Sequence, residues 1–334
     1  MVEGAQTRPL ANVDEGMSTA ARSAIAVLAL FLAACSQGGL ANTERYSPPP
    51  PLALVAILDP SSNNLADEFH QLEDVIRADA TPGEAVVVMF MQPSYGQAYT
   101  IRPGDNLSSI AGAHGMTLAT LEAANPQLGP LSGRNWKLIH PGERVMLPDG
   151  STNDALVLVS RAPAGPKPPE LVRLPRAPSN PTDYQRAQYQ RAVASDTATN
   201  DTRIATWRAD AAQALEPWQQ DVVAQLEKKA GATVAGSRAP DGTMVAASMV
   251  AGLTTLQGLS GRRMLLMLGG GDSGPGALAP NSLAQVNLVV ANLADPKSAA
   301  AWTAAATNAG AASVSALDVA LTRLQLSQLV NHPT

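Results

Sequence analysis

Apolar residues along this chain change their period several times, and each change predicts an element. "LALVAILD", ending at Asp59, is a continuous apolar run of strand length. Leu65, Phe69, Leu72, Val75 and Ile76 then follow helical spacing. After a Thr-Pro-Gly-Glu turn at residues 81–84, "AVVVMFM" is a β-branched run expected to form a buried strand. Strand, helix and strand within about forty residues predict a βαβ-type opening.

The second half alternates again. "DALVLVS" (154–160) predicts a short strand, and a spacer containing Pro and Arg runs from Arg161 to about Thr182. A helical region follows from Asp183 to Ala230, with a restart expected near Asp201. Its apolar positions Ile204, Trp207, Ala211, Leu215, Trp218, Val222 and Leu226 recur every three or four residues. "TMVAASMVAGLTTLQGL" predicts a second helix, "RRMLLMLGGGD" a strand ending in a glycine loop, and "QVNLVVANLAD" another strand. "PKSAAAWTAAATNAGA" has proline near its start and glycine at its end, as a helix should. "ASVSALDVA" and a short amphipathic tail close the chain. The predicted fold is α/β, three-layered, with a mostly parallel sheet covered by helices on both faces.

Residues 98–148 have a different texture: "AYTIRPGDNLSSIAGAHGMTLATLEAANPQLGPLSGRNWKLIHPGERVMLP". Tyr99 and Ile101 alternate, Pro103-Gly104 turns the chain, and Asp105 is expected to cap a helix carrying Leu107, Ile110 and Ala111. Thr117 is expected to cap a second helix with Leu118 and Leu121 inward, stopped at Asn125-Pro126. "HPGERVMLP" repeats the Pro-Gly turn before a strand with Val145 and Leu147. The predicted order is βααβ.

The ordered set Pro-Gly-Asp-x-Leu-x-x-Ile-Ala, then Asn-Pro, then Pro-Gly-x-x-(apolar)-x-(apolar)-Pro resembles the LysM domain. That resemblance implies binding of N-acetylglucosamine-containing polymers, peptidoglycan in bacteria. It implies a groove with Gly104, Asp105, Asn106 and Leu107 on one side, Ile139, His140 and Pro141 on the other, and Asn125 and Pro126 nearby. Backbone amides in such loops pair with acetyl carbonyls, and flat apolar surface covers methyl groups and ring faces. The segment "LGPLSGRNWK" is longer than usual for the family; its Trp136 either offers a stacking face or packs on the domain, and packing is the expected role.

The flanking α/β pattern resembles a von Willebrand factor A domain, in which the LysM segment would be an insertion after the second strand. The resemblance implies a metal site at the carboxyl ends of the strands, made by an Asp-x-Ser-x-Ser loop, a Thr and an Asp. Its counterparts here are Asp59, Ser61, Asn63 (in place of the final serine) and Thr243, while Asp272 lies beyond the position of the last aspartate. Such oxygen donors suit Mg²⁺, the one cofactor implied. The plainer reading is that Asp59-Pro60-Ser61 caps the following helix.

Composition narrows the function. The chain has 334 residues, 45% hydrophobic and 15% charged, and a net charge of −5, which gives no basic field for gripping nucleic acid. Near the N-terminus, "MSTAARSAIAVLALFLAACSQGG" sets Arg22 before an apolar run too short for a comfortable membrane span. Leu32-Ala33-Ala34-Cys35 resembles the bacterial lipobox, which implies lipidation of Cys35, the chain's single cysteine, and export to the cell envelope. With that cysteine so assigned, a cysteine peptidase is excluded. His70, His114, His140 and His332 lack paired metal-ligand spacing. Glu68 and Glu73 are expected on the solvated face of their helix. No Gly-x-Ser-x-Gly or phosphate-binding loop is present.

These readings divide the chain into an N-terminal extension and lipoprotein signal peptide (1–35), a flexible Pro-rich tether (36–51), the first part of an α/β domain (52–97), the LysM segment (98–149), a strand and Pro-rich linker (150–182), and the second part of the α/β domain (183–330). The expected protein is a non-enzymatic envelope lipoprotein that binds peptidoglycan and scaffolds the membrane–wall interface. The alternative is a component of an envelope assembly or secretion apparatus that binds a protein partner through a Mg²⁺-dependent face.

Overall fold

The computed structural model describes residues 43–92, 94–149, 156–230 and 239–318. Cys35 with its signal-like segment, and the C-terminal tail with His332, lie outside them. By their contacts these residues form two units, one of residues 43–46 and Glu170–Arg203, the other of Ser47–Pro169 and Ile204 to the end of the described chain.

In the smaller unit, β1 (Thr43–Arg45) pairs antiparallel with β7 (Glu170–Val172). Both strands fall where the sequence predicts tether and linker. The Asn200 carboxamide completes the ribbon, accepting from the Val172 N–H and donating to its carbonyl, each at 2.8 Å. Three residues per strand leave no hydrophobic period to read, so a side chain on a distant helix had to supply the partner.

The larger unit is built on a six-stranded mixed sheet. Its strands are β2 (Leu52–Leu58), β3 (Ala85–Phe90), β6 (Leu156–Arg161), β8 (Arg262–Leu268), β9 (Val286–Leu293) and β10 (Ser313–Asp318). The order across the sheet is β10-β9-β8-β2-β3-β6. Every pairing is parallel except β3 with β6, which is antiparallel at the edge. β2 reads as a continuous apolar run because both its faces are buried. Ala53, Val55 and Ile57 face one cluster with α5 (Gly242–Gln257) and α6 (Pro296–Asn308), whose Trp302 is fully buried. Leu54, Ala56 and Leu58 face the other, with α1 (Leu65–Asp79) and Val222 and Leu226 of α4 (Asp183–Ala230).

α4 is one continuous helix of 48 residues, without the restart expected near Asp201 and with Pro217 accommodated inside it. Of its predicted inward positions, Ala211, Leu215, Val222 and Leu226 are buried. Asp201 sits mid-helix with helical neighbours on both sides, so a polar residue of turn-forming type did not break it. Glu68 and Glu73 also depart from expectation: both are buried on α1, 1% and 5% exposed. The apolar stripe of α1 is wider than its periodicity implies because β2, β9 and α4 approach it from several sides. Among the described residues, no helix is long and apolar enough to cross a membrane.

Between β3 and β6 in sequence lies a smaller βααβ unit: β4 (Gln97–Thr100), α2 (Leu107–Ala113), α3 (Leu118–Ala123), two single turns of 3-10 helix at Pro126–Leu128 and Pro130–Ser132, and β5 (Arg144–Leu147). β4 and β5 pair antiparallel, with Tyr99 opposite Val145. Ile101, Leu107, Ile110, Ala111, Leu121, Leu128, Val145 and Leu147 form its own core. It is also tied to the large sheet's core, because Leu131 and Met146 pack in the cluster on the α5 side. A Cβ on Gly258 would come within 2.6 Å of the Gln127 side chain, so α5 and the module touch closely there.

Candidate glycan-binding site

The first wall of the site begins at the Pro103-Gly104 turn. Gly104 has φ +90°, a conformation that favours glycine, and nothing lies within 4 Å of where a Cβ would stand. Asp105 does not cap α2. Its carboxylate accepts from the Arg102 N–H at 2.8 Å and the Tyr99 hydroxyl at 2.7 Å, closing the turn onto the strand before it. The Arg102 amide and then the Tyr99 hydroxyl hold the Asp105 carboxyl below the usual carboxylate range, and the same bond raises the Tyr99 hydroxyl. The helix cap is Asn106, whose side chain accepts from the Ser109 N–H while Ser109 answers in a reciprocal capping box. Three candidates, Asp, Asn and Ser, stand within five residues, and the strand's Tyr99 decided which one turned back. Thr117 caps α3 as predicted, accepting from the Thr120 N–H.

A groove of about 410 Å³ runs from this wall to the far side of the module. Asp105, Asn106, Leu107 and Ser108 line one side, Leu118 and Glu122 of α3 the floor, and Asn135, Trp136, Lys137 and Ile139 the other side. Of the residues implied by resemblance, Asp105, Asn106, Leu107 and Ile139 therefore meet. His140 and Pro141 are exposed on the next turn, and Pro141 lines a neighbouring cavity instead.

Asn125 and Pro126 are not groove residues. Both are buried, and the Asn125 amide is wholly engaged inside the module: it donates to the Leu121 and Met146 carbonyls and accepts from the Met146 N–H, at 2.7–2.8 Å. With its amide so paired, Asn125 is 1% exposed and lies outside the groove lining. Its Asn-Pro signature marks scaffold, fastening α3 to β5.

Trp136 packs on the module, as expected, and also lines the groove. It packs on Gly129, where a Cβ would stand only 2.3 Å from the indole, and joins the edge of the module core. It remains half-buried and lines the groove. The long segment before the second Pro-Gly turn thus supplies the second wall, Asn135 to Lys137. The flanking "LGPLSG" was the available signal, since only a glycine at 129 admits the ring.

Residues 99–148 match the LysM domain model. That stretch runs from the second half of β4 to just past the end of β5, and the groove lies wholly inside it. No solved structure matches the chain. The LysM module is a binding module rather than a catalytic one, and its family's ligands are glycans of the peptidoglycan and chitin type.

Of the residues implied as metal donors, Asp59 and Ser61 follow β2 at its carboxyl end. Asp59 Oδ1 accepts from both the Ser61 N–H (2.8 Å) and the Ser61 hydroxyl (2.7 Å), so the two implied donors bind each other. Asn63 is exposed, and Thr243 is exposed at the first turn of α5 under its Asp241 cap. Asp272 accepts from the Ala294 and Asp295 N–H groups. Asp59 is also not a helix cap: α1 starts at Leu65 after Asn64. Glu68, which the sequence did not single out as a partner, lies next to Asp59, accepting from the Ser62 hydroxyl at 2.7 Å. Burial pushes its carboxyl up to about 8, with the Asp59 charge adding to the rise. Among the described residues, no group of three His, Cys, Asp or Glu side chains is placed to hold a metal ion.

Proposed function

We propose that this protein is a non-catalytic peptidoglycan-binding component of the bacterial cell envelope, held at a membrane by a lipid on Cys35. The observation that carries this reading is the open groove inside the LysM module, walled by the Asp105 turn and by Asn135–Ile139. Its chemistry suits acetamido sugars: loop amides and the Asn106, Asn135 and Ser108 groups for acetyl and hydroxyl oxygens, and Leu107, Leu118, Ile139 and the Trp136 ring for methyl and ring faces. Lipid at one end and wall polymer at the other make each contact intramolecular, so modest sugar affinity is enough to hold the protein in place.

The strand order supports reading the host as a three-layer von Willebrand A-like fold with the module inserted. With β2 first, the sheet runs third, second, first, fourth, fifth, sixth, and the third strand, β6, is the antiparallel edge. The module stands in the hairpin that would otherwise join β3 to β6.

The test is binding to purified sacculi. Removing the module outright would tear Leu131 and Met146 from the host core, so the groove is better blocked from its surface. Full-length protein should sediment with sacculi, and Ser108→Trp and Leu118→Glu should release it while leaving the unfolding transition unchanged. Sedimentation that survives both substitutions would overturn the reading.

A second reading, partner binding through the host, is favoured by the position of Asp59. It follows β2, whose neighbours β3 and β8 continue in opposite directions along the sheet, and in such folds ligands gather beyond the strand ends at this switch point. Capture of an envelope protein that requires Mg²⁺ and fails in Asp59→Ala would support it; capture indifferent to both would remove it.

A further inference from the structure

On the far side of the His140–Pro141 turn from the sugar groove lies a second cavity, of about 380 Å³, shared by the LysM module and the host helix α5. Pro141, Gly142, Glu143 and Arg144 face it from the module, Thr254 and Gln257 from the last turn of α5. We propose that this cavity binds a carboxylate-bearing peptide branch of the polymer whose sugars occupy the groove, so that the host helps the module read peptide as well as glycan. The inference rests on the glycan reading above for its ligand.

Charge comes first. Arg144 is half-buried in the cavity wall and, among the described residues, its guanidinium has no hydrogen bond or ion pair. Glu143, the one carboxylate among the residues lining the cavity, is already engaged. Glu143 Oε1 accepts from Arg134 at 2.6 Å, and its Oε2 accepts from the His140 N–H at 2.7 Å. A planar guanidinium in a partly desolvated wall, without a protein anion, matches a carboxylate in two parallel hydrogen bonds.

The opposite wall suits peptide rather than sugar phosphate or a bare anion. The C-terminal turn of α5 presents the exposed Gln257 carboxamide, which can both donate to and accept from a peptide unit. The helix end would repel an anion through its carbonyls, but Arg263 donates to the last of them, Gln257, at 3.4 Å, and to the Leu259 carbonyl just beyond the helix at 3.2 Å.

Position links the two cavities. Ile139 lines the groove and Pro141 the second cavity, so a single turn of three residues separates them. Two residues of chain span at most about 7 Å, within the reach of a substituent leaving a sugar ring. Peptidoglycan carries its peptides on the glycan strand through such a substituent, whereas chitin carries none.

The deciding measurement is calorimetric titration of the full chain with three probes: glycan strands stripped of peptide, the same strands bearing their peptides, and the free peptide with its carboxylates intact or amidated. Peptide-bearing strands should bind roughly tenfold more tightly than stripped ones, the scale of one charge-assisted pair. Arg144→Gln should erase that preference and leave the affinity for stripped strands unchanged. Gln257→Glu, on a different element, should do the same by placing a carboxylate opposite the incoming one, which decides the matter if Arg144→Gln fails to fold. Amidation of the peptide should act like the Arg144 change. Equal affinity for both strands, or a preference untouched by both variants, overturns the inference while the glycan reading stands. Failure of stripped strands to bind overturns the glycan reading instead; free peptide that then still binds through Arg144 upholds the cavity's chemistry.

Discussion

Asn125 shows how much of a motif residue's task is set outside its own sequence neighbourhood. The Asn-Pro pair was legible as a helix stop and as part of the LysM signature, but no local rule says which way its amide points. Only the approach of β5 turns it inward, where it pairs the Met146 N–H and carbonyl. Asn125→Ala should lower the unfolding free energy by about 2–4 kcal/mol, because buried backbone groups lose their partners, a change read by urea denaturation. Glu68 makes the same point with a charge. Its folded carboxyl is raised from 4.5 to about 8 by burial, so folding favours the protonated form. Between those values the folded state holds a proton that the unfolded chain has released. Stability from this group is therefore complete below pH 4.5, falls as pH rises towards about 8, and is level above it. Glu68→Gln should flatten that slope and make the protein more stable at pH 8 than the parent, as thermal melts across the range would show.

At the scale of elements, the long periodic segments were the legible ones. β2, β3, β8, β9, α1, α5 and α6 all stand where apolar period and turn residues put them, because each buries a face wide enough to leave a pattern. The exceptions were short or weakly patterned. β1 and β7 pair over three residues within Pro-rich stretches, and α4 runs unbroken through Asp201. α5 owes its close seat on the sheet to Gly252, where a Cβ would meet Leu265 Cδ1 at 2.9 Å and Ile57 Cδ1 at 3.2 Å. Gly252→Val should lift the helix and cost about 1–3 kcal/mol, the usual cost of overpacking, visible as a lower denaturation midpoint at unchanged slope. The groove was half legible: the Asp105 turn and Ile139 were placed by signature. The wall of Asn135, Trp136 and Lys137 was hidden in a segment whose path depends on the indole seating over Gly129.

For the larger unit as a whole, sheet and LysM module share a core. Leu131 and Met146 of the module and Tyr95 before it belong to the same cluster as Val55, Met249 and Leu265, and Arg161 at the end of β6 donates to the Leu131 carbonyl at 2.6 Å. Leu131→Ala, though made in the module, should therefore destabilise the host sheet by about 2–4 kcal/mol. Hydrogen exchange would detect it as faster opening of β2 and β8. If protection there is unchanged while the module opens, the two fold independently and the shared core carries no coupling.

The sequence by itself determined what local rules can carry: the α/β alternation, the buried parallel strands, and the βααβ module with its two Pro-Gly turns. Those follow from side-chain period and turn chemistry, which act over a few residues. Tertiary structure alone decided the strand order, the antiparallel edge at β6, the inward turn of Asn125, the burial of Glu68, and the cavity that Arg144 shares with Gln257. Each of these depends on groups brought together across long stretches of chain, where burial and hydrogen-bond partners are set by what arrives from elsewhere rather than by neighbours in sequence.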